Sequence, residues 1–352
     1  VLMLVGTVFV FSPALILGDI AGDGGRGSIM IWVGVIFLYY LLATLMPIDK
    51  IIGRIYPIFA FALIFMALAL MVCLFLKWPS LPELWDGLGN LGESEGLLSG
   101  QPIFPCLFIT IACGAVSGFH ATQSPMMARC LTDERLGRPV FYGAMITEGI
   151  VALIWATVSS WFFFDGGAAE VGATVSAAAP DVVVKVSKGW LGILGGILAI
   201  LGVVAAPITS GDTAFRSARL IVADFLHLNQ KPIANRLMIS IPLFLIAGVL
   251  LWYNIADENG FNVIWRYFGW ANQTLAVFML WTATAYLVKN RKGLTYLITM
   301  IPAAFMTAVC TTYICVAKIG LGLPDSWNCA IGLSTFVVSL VVFYALYFRR
   351  KK

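Results

Sequence analysis

The chain has 352 residues, of which 60% are hydrophobic and only 11% charged. A water-soluble fold of that length would leave much of this apolar material on its surface, so the composition excludes one and implies an integral membrane protein. The net charge of +4 acts as a topology bias, and no nucleic-acid partner is expected.

Apolar runs of roughly 20 residues, long enough to cross a bilayer, recur throughout and predict ten spans. They fall at about 1–18, 28–47, 54–76, 104–121, 140–164, 189–209, 236–254, 261–288, 293–317 and 329–348. The connections are short, and one all-α transmembrane domain over 1–352 is expected. The chain opens inside an apolar helix, VLMLVGTVFVFSPALILG, with no initiator methionine, basic leader or cleavage pattern, and so reads as a piece lacking its N-terminal part. Cys73, Cys106, Cys113, Cys310 and Cys315 sit in apolar segments without paired spacing, and neither disulfides nor a zinc site is expected.

Charge tests the span count. Alternating the loops puts Lys50, Arg54, Arg129, Arg135, Arg138, Arg216, Arg219, Lys231, Arg236, Lys289, Arg291, Lys292 and Arg349 to Lys352 on one side, 16 of the 22 basic residues. The other side receives Arg26, Lys77, Lys185, Lys188 and Lys318, together with acids such as Asp86, Glu93, Glu95 and Glu258. The arginine-rich side is then cytoplasmic, as are both ends of the chain. Two segments on the other side, 78–101 and 165–188, are long enough for short surface helices. Inside, Phe215, Ala218, Val222, Phe225 and Leu226 recur at helical spacing through Asp212 to Asn229, which suits an amphipathic helix lying at the interface.

Two stretches interrupt the apolar pattern. In GAVSGFHATQSPMMAR, the glycines Gly114 and Gly118 and Pro125 weaken the helical ladder, and Ser117, His120, Thr122, Gln123 and Ser124 supply donors and acceptors. Unwound backbone at membrane depth is tolerated where it is buried in protein or lines a wet cavity. The alternative is a helix that ends near Phe119 and meets water. In VVAAPITSGDTAFRSAR, Pro207 and Gly211 are the breakers, and Thr209, Ser210, Asp212 and Thr213 offer hard oxygen ligands of the kind sodium or a proton needs. There the alternative is a loop in which Asp212 caps the following helix.

Two ionisable groups fall inside spans. Glu148 is a candidate coupling residue, whereas Arg266 lies close enough to one end of its span to snorkel. Asn272 and Gln273, deeper in that span, either line a cavity or tie helices together. The motifs HExxH and GxSxG and the P-loop are all missing from the sequence, so an enzyme is not expected.

The strings FPCLFITIACGAVSGFHATQSP, ITSGDTAFRSARLIVAD, FGWANQTLAV and LMPIDKIIGRIYP resemble the carbon starvation protein A family of bacterial membrane transporters. That resemblance implies uptake of peptides, or of pyruvate, across the inner membrane during carbon starvation. It also implies a LeuT-like core of two inverted five-helix repeats from the amino acid/polyamine/organocation superfamily, with no cofactor beyond Na⁺ or H⁺ as coupling ion. Residues 1–77 would then be the remainder of the first repeat, 104–288 the second, and 293–348 two peripheral helices. Gly114 to Pro125 would be the unwound segment of the second repeat. Ser117, His120, Thr122, Gln123, Ser124, Asn272 and Gln273 would face a small-molecule substrate, and Thr209, Ser210, Asp212, Thr213 and Glu148 would hold or couple the cation. A membrane nutrient sensor that keeps the fold without transport is the competing expectation.

Overall fold

Long apolar runs free of β-favouring alternation fold as helices, because a helix satisfies its own backbone in a medium that offers no hydrogen bonds. The computed structural model describes residues 1–21, 25–45, 49–83, 85, 89–90, 101–174, 179–257, 260–290 and 293–347, and no strand occurs among them. The surface helices expected over 78–101 lie largely outside the described residues. So do Asp86, Glu93, Glu95, Glu258, Arg291, Lys292 and Arg349 to Lys352 of the charge count.

The helices are α1 (Leu2–Ala21), α2 (Arg26–Leu45), α3 (Asp49–Lys77), α4 (Phe108–Ala115), α5 (Gly118–Cys130), α6 (Ala144–Phe164), α7 (Gly167–Glu170), α8 (Ala179–Ala199), α9 (Ala205–Phe225), α10 (Ile233–Ala256), α11 (Gly260–Asn290), α12 (Leu297–Val316) and α13 (Asn328–Tyr347). Nine segments among the described residues are long and apolar enough to cross a membrane. The expected span at 261–288 is helical as α11, at 31 residues the longest of these helices, but it falls outside that apolar set. Arg266, Asn272 and Gln273 make it more polar than its neighbours.

Two compact units divide the chain. One contains Leu2–Leu84 with Ile146–Ile264, the other Trp85–Met145 with Trp265–Lys352. In the first, α1, α2, α9 and α10 pack on one another around Phe215 of α9. Its ring lies 4.6 Å from that of Phe244 and 5.5 Å from that of Tyr40, and Val10, Ala14, Ile36 and Ala247 belong to the same cluster. The Tyr40 hydroxyl reaches two backbone carbonyls on other helices, Phe9 at 3.0 Å and Pro207 at 3.1 Å. Gly211 permits this approach: a Cβ there would lie 2.2 Å from the Tyr40 oxygen. At the far end of α3, Lys77 pairs with Glu170 of α7 and sits over the rings of Trp161 and Trp190, 5.9 and 5.5 Å from their centroids.

The second unit is held by Ile109, Ala112, Met306, Val309, Cys310 and Tyr313, where α4 meets α12. Polar ties supplement the packing. Trp270 Nε1 donates to the Cys310 carbonyl at 3.0 Å, and Tyr267 Oη donates to the Ile319 carbonyl at 2.6 Å. In both units the outward faces remain apolar, with Phe61, Leu76, Leu153, Leu245, Ile298 and Leu333 all exposed. Faces of that kind require lipid around them.

The stretch around Pro207 departs from expectation. Residues 205–225 form one helix with no interruption at Pro207 or Gly211. The irregularities come earlier, at Gly192 (φ 60°, ψ −141°) and in a widened π-helical turn over Ile200–Val204. Pro207 follows that turn directly, in a helix that continues through it, and the widened turn lies where a residue without an N–H leaves a preceding carbonyl unmet, while Gly211 serves the approach of Tyr40. The interfacial helix expected over Asp212 to Asn229 is therefore corrected. Phe215 and Ala218 are buried by α1, α2 and α10, and only Phe225 and Leu226 of that apolar set are exposed.

Gly211→Ala should lower the stability of the purified protein by about 1–3 kcal/mol through overpacking. Part of that loss should be recovered in the Gly211→Ala/Tyr40→Leu double variant, read by thermal unfolding as a non-additive pair.

Candidate functional site

The fourth span does break, within narrower limits than Gly114 to Pro125. Helix α4 stops at Ala115, Val116 (φ −143°, ψ 94°) and Ser117 (φ −106°, ψ 130°) are extended, and α5 runs without interruption from Gly118 through Pro125 to Cys130. The unwound segment is two residues long. The expectation of an irregular stretch reaching Pro125 is corrected, because thirteen residues including His120 to Ser124 are helical.

The neighbours of the break hold its backbone, directly or through the capping hydroxyl. The Ser117 hydroxyl caps α5 by accepting from the Phe119 N–H at 3.3 Å, and the Val116 N–H closes α4 onto the Ala112 carbonyl at 2.6 Å. From α11 the Asn272 amide nitrogen donates to Ser117 Oγ at 3.0 Å. Gln273, its amide oriented by the surrounding network, donates to the Val116 carbonyl at 2.6 Å and accepts from the Cys113 N–H at 2.9 Å. Both side chains are fully buried, at 0% exposure, so burial cost is offset by these three directed bonds. Gly118 completes the fit: a Cβ there would stand 2.1 Å from the Asn272 carbonyl oxygen. Asn272 and Gln273 thus spend their polar atoms on the break itself.

On α5 the remaining polar residues are half-buried. Thr122 Oγ1 donates to the Phe119 carbonyl at 2.8 Å, and Gln123 Nε2 donates to Thr122 Oγ1 at 3.3 Å. His120 and Ser124 share this segment and its partial exposure.

The second set of predicted residues lies in the other unit, on α9. Thr209 and Thr213 turn their hydroxyls back onto their own helix, bonding the Ala206 carbonyl at 2.8 Å and the Thr209 carbonyl at 3.0 Å. Ser210 is half-buried. Asp212 is buried and pairs with Arg216 one turn on, at 3.1 Å; it caps nothing, since it lies mid-helix. Arg216 Nη2 also reaches the Ala43 carbonyl at 3.4 Å, and the buried Arg219 donates from Nη1 to the Thr44 carbonyl at 2.8 Å. These two carbonyls belong to the last turn of α2, which has no intrahelical donors left for them. The arginines close the C-terminus of α2, where positive charge is favoured. These arginines are therefore structural ties and not only interfacial topology residues, and the Asp-x-x-x-Arg spacing is the sign of the ion pair in the sequence. Glu148 is half-buried near the start of α6.

The architecture is that of a polytopic all-helical membrane protein with one span broken at buried, amide-tied backbone. Residues 18–194 and 165–313 match the family model described as carbon starvation protein CstA, and the chain belongs to that family. Among curated relatives, the peptide transporter CstA of Escherichia coli is 28% identical over 67% of this chain and 41% of its own length. The pyruvate/proton symporter BtsT of the same organism is 26% identical over 68% and 43%. An uncharacterized membrane protein of Haemophilus influenzae is 40% identical over 46% of this chain and 55% of its own. The chain spans about half the length, or less, of these relatives. No solved structure matches it.

Gln273→Leu should cost about 1–3 kcal/mol for each backbone group it leaves unpaired at the break. The loss should appear in thermal unfolding of the purified chain, together with faster hydrogen exchange at Cys113.

Proposed function

We propose that the protein is a secondary active transporter that imports small carboxylate-bearing nutrients, peptides or pyruvate, across the bacterial inner membrane during carbon starvation. The observation that carries this reading is the break at Val116 and Ser117 in a span of a family whose named relatives are transporters. The N-terminus of α5 at Gly118 presents the positive end of the helix dipole, which suits a carboxylate. Ser117, His120, Thr122, Gln123 and Ser124 are the side chains offered to it, and Asn272 and Gln273 fix the shape of the break.

The coupling ion is Na⁺ or H⁺. Thr209, Ser210, Asp212 and Thr213 supply its oxygens, and Glu148 is the titrating group if the ion is a proton. The bias of arginine toward one set of loops supports a cytoplasmic position for that side and, with it, for both ends of this chain. The mutual packing of α1, α2, α9 and α10 supports a compact helical core, and a LeuT-like fold working by alternating access is the reading that the family resemblance favours. No observation favours the sensor reading over this one.

The test is uptake of labelled pyruvate and of a labelled dipeptide by proteoliposomes containing the full-length protein, with and without proton or sodium gradients. Gradient-dependent accumulation is expected, and binding without accumulation would establish a sensor instead. Thr209→Ala should weaken the dependence on the gradient, and Asp212→Asn should do so while also exposing Arg216 to the loss of its partner. His120→Ala should change the substrate concentration at half-maximal uptake. Unaltered uptake in all three variants would remove the site assignment.

A further inference from the structure

A groove of about 400 Å³ runs between the last turns of α3 and the middle of α6, wholly within the first unit. Leu74, Phe75 and Trp78 form one wall, Ile150, Leu153 and Thr157 the other. It shares no residue with the candidate transport set.

The two helices close on each other along one side only. Ile154, Val158 and Trp161 of α6 belong to the same buried cluster as Met66 and Leu70 of α3, whereas Leu153 is 69% exposed and Phe75 64%. A short connection then bridges one end of the gap. Trp78 leaves α3 in the left-handed region (φ 43°), a conformation that a bulky residue adopts only where its surroundings enforce it. Two residues on, the Ser80 N–H donates to Asp165 Oδ2 at 3.1 Å, just past the end of α6.

The lining selects the occupant. Besides the Trp78 indole N–H, the polar side-chain group in these walls is the Thr157 hydroxyl, which donates to the Leu153 carbonyl of its own helix at 2.9 Å. An ordered water needs two to four polar partners, so water does not fill the groove. Both walls belong to segments able to cross a membrane, and the medium at the groove's mouth is hydrocarbon. A lipid tail there is already out of water and gains nothing by transfer; it gains dispersion contacts from walls on two sides.

The rim supplies charge. Lys77, next to Trp78 in the chain, is engaged by Glu170 and by the Trp161 and Trp190 rings. Asp165 is exposed, and the Ser80 N–H engages its Oδ2 alone, so Oδ1 has no partner among the described residues. The unmet charge at the rim is therefore negative, above an apolar trough.

We propose that the groove holds one acyl chain of a phospholipid whose headgroup ends in a primary ammonium, as in phosphatidylethanolamine. The ammonium donates to Asp165 Oδ1, the Trp78 indole N–H faces the ester region, and the chain lies along Leu74, Phe75 and Leu153. A choline headgroup has no N–H to give and is the poorer match. The inference concerns a resident lipid and holds whatever the protein carries across the membrane.

The test is native mass spectrometry of the full-length protein, released from bilayers of equimolar phosphatidylethanolamine and phosphatidylcholine with identical acyl chains. One retained lipid is expected, with the ethanolamine form in excess by about three-fold, the scale of an exposed charge-assisted bond. Asp165→Asn keeps an acceptor for the Ser80 N–H but loses the charge, and should bring the two lipids to parity. Leu153→Trp and Ile150→Trp each add bulk at an exposed wall position and should empty the groove, with thermal unfolding showing that the fold persists. Absence of a retained lipid in the unmodified protein overturns the proposal. So does retention that survives both tryptophan variants, or an ethanolamine excess that is missing from the start or unchanged by Asp165→Asn.

Discussion

A bilayer interior offers no water, so every backbone N–H and C=O placed there must find a partner within the protein. This constraint organises both units. Where α4 gives way to α5, two extended residues free backbone groups; Gln273 of α11 bonds the backbone there, and its neighbour Asn272 holds the Ser117 hydroxyl that caps α5. Where α2 ends, the carbonyls of Ala43 and Thr44 are met by Arg216 and Arg219. Polar side chains that hydropathy alone would count against a membrane location are what make the departures from ideal helix tolerable.

The same constraint explains how much of the fold was legible. Span positions follow from apolar runs, and most helices match them within a few residues. The break at Ser117 was also legible, because glycines and a capping hydroxyl are local signs. Its extent was not: Pro125 is tolerated inside α5, and nothing in the neighbouring sequence separates a proline that ends a helix from one that sits within it. Pro207 and Gly211 were misread for a related reason. The meaning of Gly211 is set by Tyr40 on a distant helix, and the fate of Arg216 and Arg219 by the end of α2, none of which is visible in a linear window.

Site chemistry was less legible than the fold. The cluster Ser117 to Ser124 could be picked out by composition, and the structure adds which polar atoms are already committed. Thr122 and Gln123 bond locally, Asn272 and Gln273 serve the break, and Asp212 is engaged with Arg216. The groove between α3 and α6 carried no sequence sign at all. Leu153 in VALIWA is one apolar residue among many until the bond from Ser80 to Asp165 shows the connection after α3 reaching the end of α6.

The left-handed turn at Gly192 has an arithmetical consequence. The helical stretch from Ala179 to Phe225 counts 47 residues, which at ~1.5 Å of rise each would make a rod of about 70 Å if straight. The hydrocarbon slab is about 30 Å thick, so a rigid rod of that length would project far into water on at least one face. A kink at that single residue lets the arm from Ala179 to Leu191 follow its own direction, and leaves the crossing to the part that carries Phe215.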